Sequence, residues 1–427
     1  MNTRTTPAIG YVALVRGNSN YRNIWFGEIV SLFGDWFNLI ASAALISKLT
    51  GSGVAVGGLF VVRMLAPFLI SPLAGVWADR YNHRKLLLAT DLSRAVVVLG
   101  FLLVREPSQV WLLYVLTAVQ LGISGVWYPA RNAILPEITT PAEMGAANAL
   151  SSATWSVMLS LGAAIGGLVT GQFGTTPSFL IDALSFLISG FFVYRLSYTA
   201  ASALAGHDRS AAAALRQYVD GLRYLRQNAD IFWITMLKAA TGLSISGGFQ
   251  VVQVLLSQRV FVIGEGGGTS LGLMYAMVGI GTGVGPILAR YFTGDRIRPL
   301  RIAIAAAFLV GAAGLLMIAP LSSFGWVLVG SLLRGIGAGV VWVFATQLLL
   351  LLTPAPVLGR VFSSDFAGQT LASALSAGIG GWLLDHTALG VTGTLLIMAS
   401  LTILFGVLWA AWTAMRAAAD SRLEPAA

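Results

Sequence analysis

Apolar stretches of about twenty residues recur along the 427-residue chain, separated by short polar breaks. A helix rises about 1.5 Å per residue, so roughly 20 apolar residues cross the hydrocarbon core of a bilayer. Twelve such spans are predicted, at 24–46, 53–76, 86–104, 109–129, 143–169, 178–197, 231–256, 269–292, 301–319, 323–350, 360–384 and 389–413. The longest polar interval, 198–230, lies at the centre of the chain. There "AAAALRQYVDGLRYLRQN" puts Leu215, Tyr218, Leu222 and Leu225 on one helical stripe, with Arg216, Asp220, Arg223 and Arg226 elsewhere around the helix. That is the pattern of an amphipathic helix lying on a membrane surface. The predicted organisation is an all-α integral membrane fold, with a six-helix bundle over 1–197, a linker over 198–230 and a second six-helix bundle over 231–427.

The two halves resemble each other. "GISGVWYPARNAILPEITTP" (Gly122 to Pro141) lies over "GAGVVWVFATQLLLLLTPAP" (Gly337 to Pro356) at an offset that superposes Trp127 on Trp342. Nearly the same offset carries "AAIGG" onto "GIGG", and "ADRYNHRK" parallels "TGDRIRPLR" after an even-numbered span. An internal repeat of six spans is a transporter signature.

Composition agrees with lipid as the solvent. The chain is 56% hydrophobic and 10% charged, against roughly 25% charged in soluble domains. Its net charge of +9 could suit nucleic acid, but the basic residues follow the membrane instead. Of the 26 Lys and Arg, Lys48, Arg105 and Arg259 fall outside and Arg63, Arg94, Lys238 and Arg334 fall within spans. The rest, Arg131 among them, fall on one side, which predicts cytoplasmic termini in a bacterial inner membrane. There is no cysteine, and the three histidines, His83, His207 and His386, sit in loops or helix ends. Thiol chemistry is thereby excluded, most metal and His-based schemes are removed, and no P-loop pattern is present. The chain reads as no enzyme, with no cofactor, no nucleic-acid partner and a monomeric state.

After the second span comes "GVWADRYNHRK", Gly75 to Lys85. It resembles the loop signature of the major facilitator superfamily, with Asn82 where that pattern has a second glycine, a residue that also tolerates a left-handed turn. "FGDWFNLIA", "VRMLAPFLISPLAGVWADR", "YPARNAILPEITTPAEMGAANALSSA" and "FLIDALSFLIS" look like the macrolide-exporter-like, drug:proton antiporter branch, which also includes siderophore and lysolipid carriers. The resemblance covers essentially the whole chain. It implies a latch formed by Gly75, Asp79, Arg80, Arg84 and Lys85, with Asp91 and Arg94 extending that cytoplasmic gate. Two motifs depart from the pattern: Ala118 stands where many antiporters carry Arg, and Ala replaces Pro within Gly162 to Gly167.

Transport needs polar groups at mid-membrane that are satisfied differently in two conformations. A carboxylate at the middle of a span costs about 2.5–3.5 kcal/mol, so it faces protein or a water-filled cavity. Asp35 is such a group, with Glu28 seven residues earlier on the same helical face. Arg63 in the next span is the natural counter-charge to Asp35. The pair reads either as a proton-coupling site or as a permanent fastening of two spans. Asp182, Lys238, Arg334 and Asp365 are further in-membrane charges without an assigned role. Trp36, Asn38, Trp127, Tyr128, Trp155 and Trp342 are candidates to line a substrate cavity. The expected activity is export of an amphipathic small molecule by alternating access with the proton gradient as energy source. A lysophospholipid or siderophore substrate, an uncoupled carrier and a transport-inactive sensor are the alternatives.

Overall fold

The computed structural model describes residues 10–197, 219 and 221–423, with the side chains at 72, 75, 76, 79, 80, 355, 356 and beyond 416 outside that description. Every described element is helical. The order is α1 (Tyr11–Gly17), α2 (Ser19–Thr50), α3 (Gly53–Arg80), α4 (His83–Gly100), α5 (Val110–Ile138), α6 (Pro141–Phe173) and α7 (Thr175–Tyr194). After the linker come α8 (Ala229–Thr241), α9 (Gly247–Leu255), α10 (Gly268–Thr293), α11 (Ile297–Ile318), α12 (Phe324–Leu352), α13 (Ala355–His386) and α14 (Gly390–Leu423). Local chemistry marks the starts. Thr140 and Glu143 form a reciprocal capping box before Pro141, satisfying amides that a helix start leaves open. Asn82 caps α4 by accepting from the Lys85 amide at 3.0 Å. Its φ of −59° is not left-handed, so the residue serves as a cap where a left-handed turn was expected.

Among the described residues, eleven helical segments are long and apolar enough to cross a membrane. The remaining predicted span is α13, 32 residues long but carrying Arg360, Asp365, Gln369 and several Ser and Thr within it. Its polarity, rather than its length, sets it apart from the other eleven. The fourth span runs further than predicted, to Ile138, with Pro129 and Pro136 inside the helix.

The chain forms two compact units whose bounds differ from the predicted halves. Unit 1 holds 1–50, 65–214 and 263–272; unit 2 holds 51–64, 215–262 and 273–427. Each thus includes one segment from the other half, and glycine explains both exchanges. In unit 1 a Cβ on Gly167 would sit 2.5 Å from the Cα of Gly272. In unit 2 a Cβ on Gly381 would sit 2.4 Å from the carbonyl oxygen of Gly53. Only bare backbone permits such approach.

Ile24, Leu87, Trp127, Ala130, Ile134 and Val193 pack in a core of unit 1. Ile234, Phe308, Val341, Phe344, Leu348 and Trp409 anchor that of unit 2. Of the predicted linker stripe, Leu225 is buried in the unit 2 core while Leu222 is exposed. Leu215, Arg216, Tyr218 and Asp220 lie outside the described residues.

Candidate functional site

Polar side chains inside unit 1 gather on α2, α4, α5 and α7. Glu28 is 5% exposed and its Oε2 accepts from Arg131 Nη2 at 2.9 Å and from the Ser151 hydroxyl at 3.3 Å. Arg131 is itself buried, at 4% exposure. This corrects the expectation that Arg131 is a surface charge, because α5 continues through it and points it into the bundle. Nothing local to Arg131 in the sequence announces the pairing, since its partner is 103 residues away.

A second pair, Asp91 and Arg94, is fully enclosed. Arg94 donates to Asp91 across one helical turn, Ser189 of α7 donates to the other Asp91 oxygen at 2.9 Å, and Arg94 lies 4.2 Å from the Phe186 ring centre. The pair therefore ties α4 to α7. Gly75, Asp79 and Arg80, expected to share a gate with it, have side chains outside the described residues. Arg84 donates to the Tyr194 carbonyl and lies over that ring, and Lys85 is exposed at the start of α4.

Asp35 is half-buried on α2. Tyr128 of α5 is within electrostatic reach of Asp35, Glu28, Arg94 and Arg131, and 41% of its surface is exposed. Beside Asp35, Gly34 meets α7 so closely that a Cβ there would lie 2.7 Å from Asp182 Oδ1. Asp182 is buried and accepts from Gln120 Nε2 at 3.4 Å. Arg63, the predicted partner of Asp35, is half-buried on the portion of α3 that belongs to unit 2, in electrostatic reach of Tyr275.

The aromatic candidates divide. Trp155 is exposed on α6 and Trp342 on α12. Trp36 is half-buried against Gly162. Trp127 and Asn38 are enclosed by helix packing. The superposed tryptophans therefore differ: Trp127 packs in a core near Arg94, whereas Trp342 stands at an open surface with Lys238 Nζ 4.7 Å from its ring centre. That lysine pairs with Asp365 of α13 at 2.5 Å, both buried.

Buried ion pairs inside a helical membrane bundle suit conformational exchange and charge coupling, and no bond-making constellation is among them. The family model of the Major Facilitator Superfamily matches residues 24–364 and 260–427. The chain belongs to that superfamily.

The transporter is 27% identical to YfiS, an MFS-type transporter of Bacillus subtilis, over 92% of this chain and 94% of that one. It is 27% identical to the multidrug resistance protein MdtG of Salmonella paratyphi C over 76% and 79% of the two chains. With the staphyloferrin A transporter of Staphylococcus aureus it shares 26% identity over 60% and 64%. Among solved structures, its fold is similar to the POT family peptide transporter PepTSo at a TM-score of 0.72 and 12% identity, covering 93% and 98% of the two chains. It is also similar to a bacterial homologue of ferroportin in the inward-facing state, at 0.69 and 15%, covering 92% and 98%.

Proposed function

We propose that this transporter exports amphipathic small molecules in exchange for protons by alternating access, with Asp35 as the proton-carrying group. It works as a monomer in a bacterial inner membrane, with both termini in the cytoplasm and no cofactor beyond the proton gradient. The observation that carries the reading is the place of Asp35 on α2. It is half-buried, two turns on from the buried Glu28–Arg131 pair, and within electrostatic reach of Tyr128, whose ring is exposed.

A desolvated carboxylate takes up a proton, and an approaching cation or returning water releases it. A change in the surroundings of Asp35 between two conformations would therefore load and unload one proton per cycle. The exposed aromatic faces of Tyr128 and Trp155 suit the apolar part of an amphipath. The multidrug naming of MdtG supports a broad apolar substrate class.

Reconstituted protein tests the reading. Proteoliposomes are given a pH gradient of either sign and screened over amphipathic drugs and lysolipids. The reading expects accumulation that reverses with the gradient. Equilibration of the substrate that is indifferent to the gradient would mean an uncoupled carrier.

A further inference from the structure

Unit 2 holds a buried polar cluster that proton coupling leaves unused. The seventh span is one helix with a π turn in it: α8 runs to Thr241, the π turn covers Gly242–Ser246, and α9 continues from Gly247. Such a turn departs from the regular i to i−4 ladder and recurs at functional sites. Within it the carbonyl of Ile245 accepts from Arg334 Nη1 of α12 at 3.0 Å. The guanidinium also lies 4.0 Å from the Phe249 ring centre.

Arg334 is 5% exposed and its Nε has no acceptor. Among the described residues no carboxylate pairs with it. The titratable group acting on it is the phenol of Tyr275 on α10, which also feels Arg63. Gln253 of α9, fully buried, lies against that phenol, yet neither its amide nitrogen nor its amide oxygen completes a hydrogen bond of good geometry. Ser331, three residues before Arg334, is also fully buried with an unpartnered hydroxyl.

This cluster differs from every other buried arginine pairing described above. Arg94 faces Asp91 and Arg131 faces Glu28, so those charges are matched within the protein. Around the Arg334 cation a guanidinium N–H, both polar atoms of the Gln253 amide and the Ser331 hydroxyl lack partners. Leaving such groups buried and unmet is costly, and a planar oxyanion offers the complementary set of acceptors.

The geometry points to an anion-binding subsite formed by Arg334, Gln253 and Tyr275, which takes the carboxylate or similar oxyanion of the transported molecule. For the identity of its ligand this rests on the export reading, and it narrows the substrate to acidic amphipaths.

Three dansyl probes matched in their apolar part test it: dansyl-glycine (anionic), dansyl amide (neutral) and dansyl-cadaverine (cationic). Binding to the full-length protein in nanodiscs is followed by energy transfer from tryptophan, in gluconate and in chloride buffer. The expected result is that dansyl-glycine binds tightest. Arg334→Gln should weaken it about tenfold or more, the loss of one charge-assisted contact, while dansyl amide shifts by less than about twofold. Gln253→Leu replaces the amide of the subsite by an apolar side chain of similar size and should weaken dansyl-glycine alone, by about fivefold.

No preference for the acid in the wild type, equal weakening of all three probes by Arg334→Gln, or unchanged acid affinity in Gln253→Leu would each overturn the subsite. Chloride that saturates an Arg334-dependent signal, with no discrimination among probes, would make it a halide site and overturn the substrate assignment. Binding needs no gradient, so the two readings fail separately. Selective acid binding without gradient-driven accumulation would count against export alone, and accumulation without acid preference against the subsite alone.

Discussion

Arg131 on α5 reaches Glu28 on α2 at 2.9 Å, with both side chains at 7% exposure or less. The pair joins the first and fourth spans of unit 1, and Ser151 adds a third helix to it. Truncating one partner leaves the other charge buried and unmatched, whereas replacing both by apolar groups removes the problem. Arg131→Leu should therefore cost about 3–5 kcal/mol of stability. Glu28→Leu combined with Arg131→Leu should recover most of it. Reversible unfolding in mixed micelles, run as a double-mutant cycle, measures both.

A different contact holds the start of α3. Asp385, near the end of α13, accepts from the Ser52 hydroxyl at 2.6 Å and from the Gly53 and Val54 amides, each at 2.8 Å. Arg259 donates to the adjacent Gly51 carbonyl. The carboxylate thus caps α3 from another helix, meeting amides that have no partner within α3 itself. Asp385→Ala should cost about 0.5–2 kcal/mol, with Asp385→Asn nearer the wild type because it keeps one acceptor oxygen. Hydrogen exchange at Gly53 and Val54 should rise in Asp385→Ala, while exchange in α5 stays unchanged.

The placement of basic residues predicts the orientation. A cysteine introduced at Ser421 should react with an impermeant thiol reagent from the cytoplasmic side, and one introduced at Ser108 from the outside. The native chain has no cysteine to interfere. Labelling of Ser421 from outside intact cells would reverse the topology.

The spans were legible because apolar runs of bilayer length admit few other structures. Asp91 and Arg94 were legible as a pair, since a spacing of three residues puts them on one helix face. Glu28 with Arg131, and Lys238 with Asp365, were not. Their partners are 103 and 127 residues apart, and those contacts are set by helix packing. Arg131 was misplaced for a local reason too, because Pro129 and Pro136 look like the end of a span, yet α5 runs through both. The π turn at Gly242–Ser246 leaves a faint trace in the glycines at 242, 247 and 248, which resemble ordinary small-residue packing. Arg334 was visible as an in-membrane charge, but that no carboxylate among the described residues pairs with it emerges only from the fold.

The central claim is that Asp35 carries the coupled proton, and the most direct measurement is proton movement itself. Asp35→Asn, Glu28→Gln and wild type are reconstituted with a pH-sensitive dye inside the vesicles, and an outward or inward substrate gradient is imposed without a pH gradient. Wild type should convert the substrate gradient into a pH change, and Glu28→Gln should do so more weakly because its pair is disturbed. Asp35→Asn should still exchange substrate down its gradient but move no protons. An Asp35→Asn protein that generates the wild-type pH change would contradict the account.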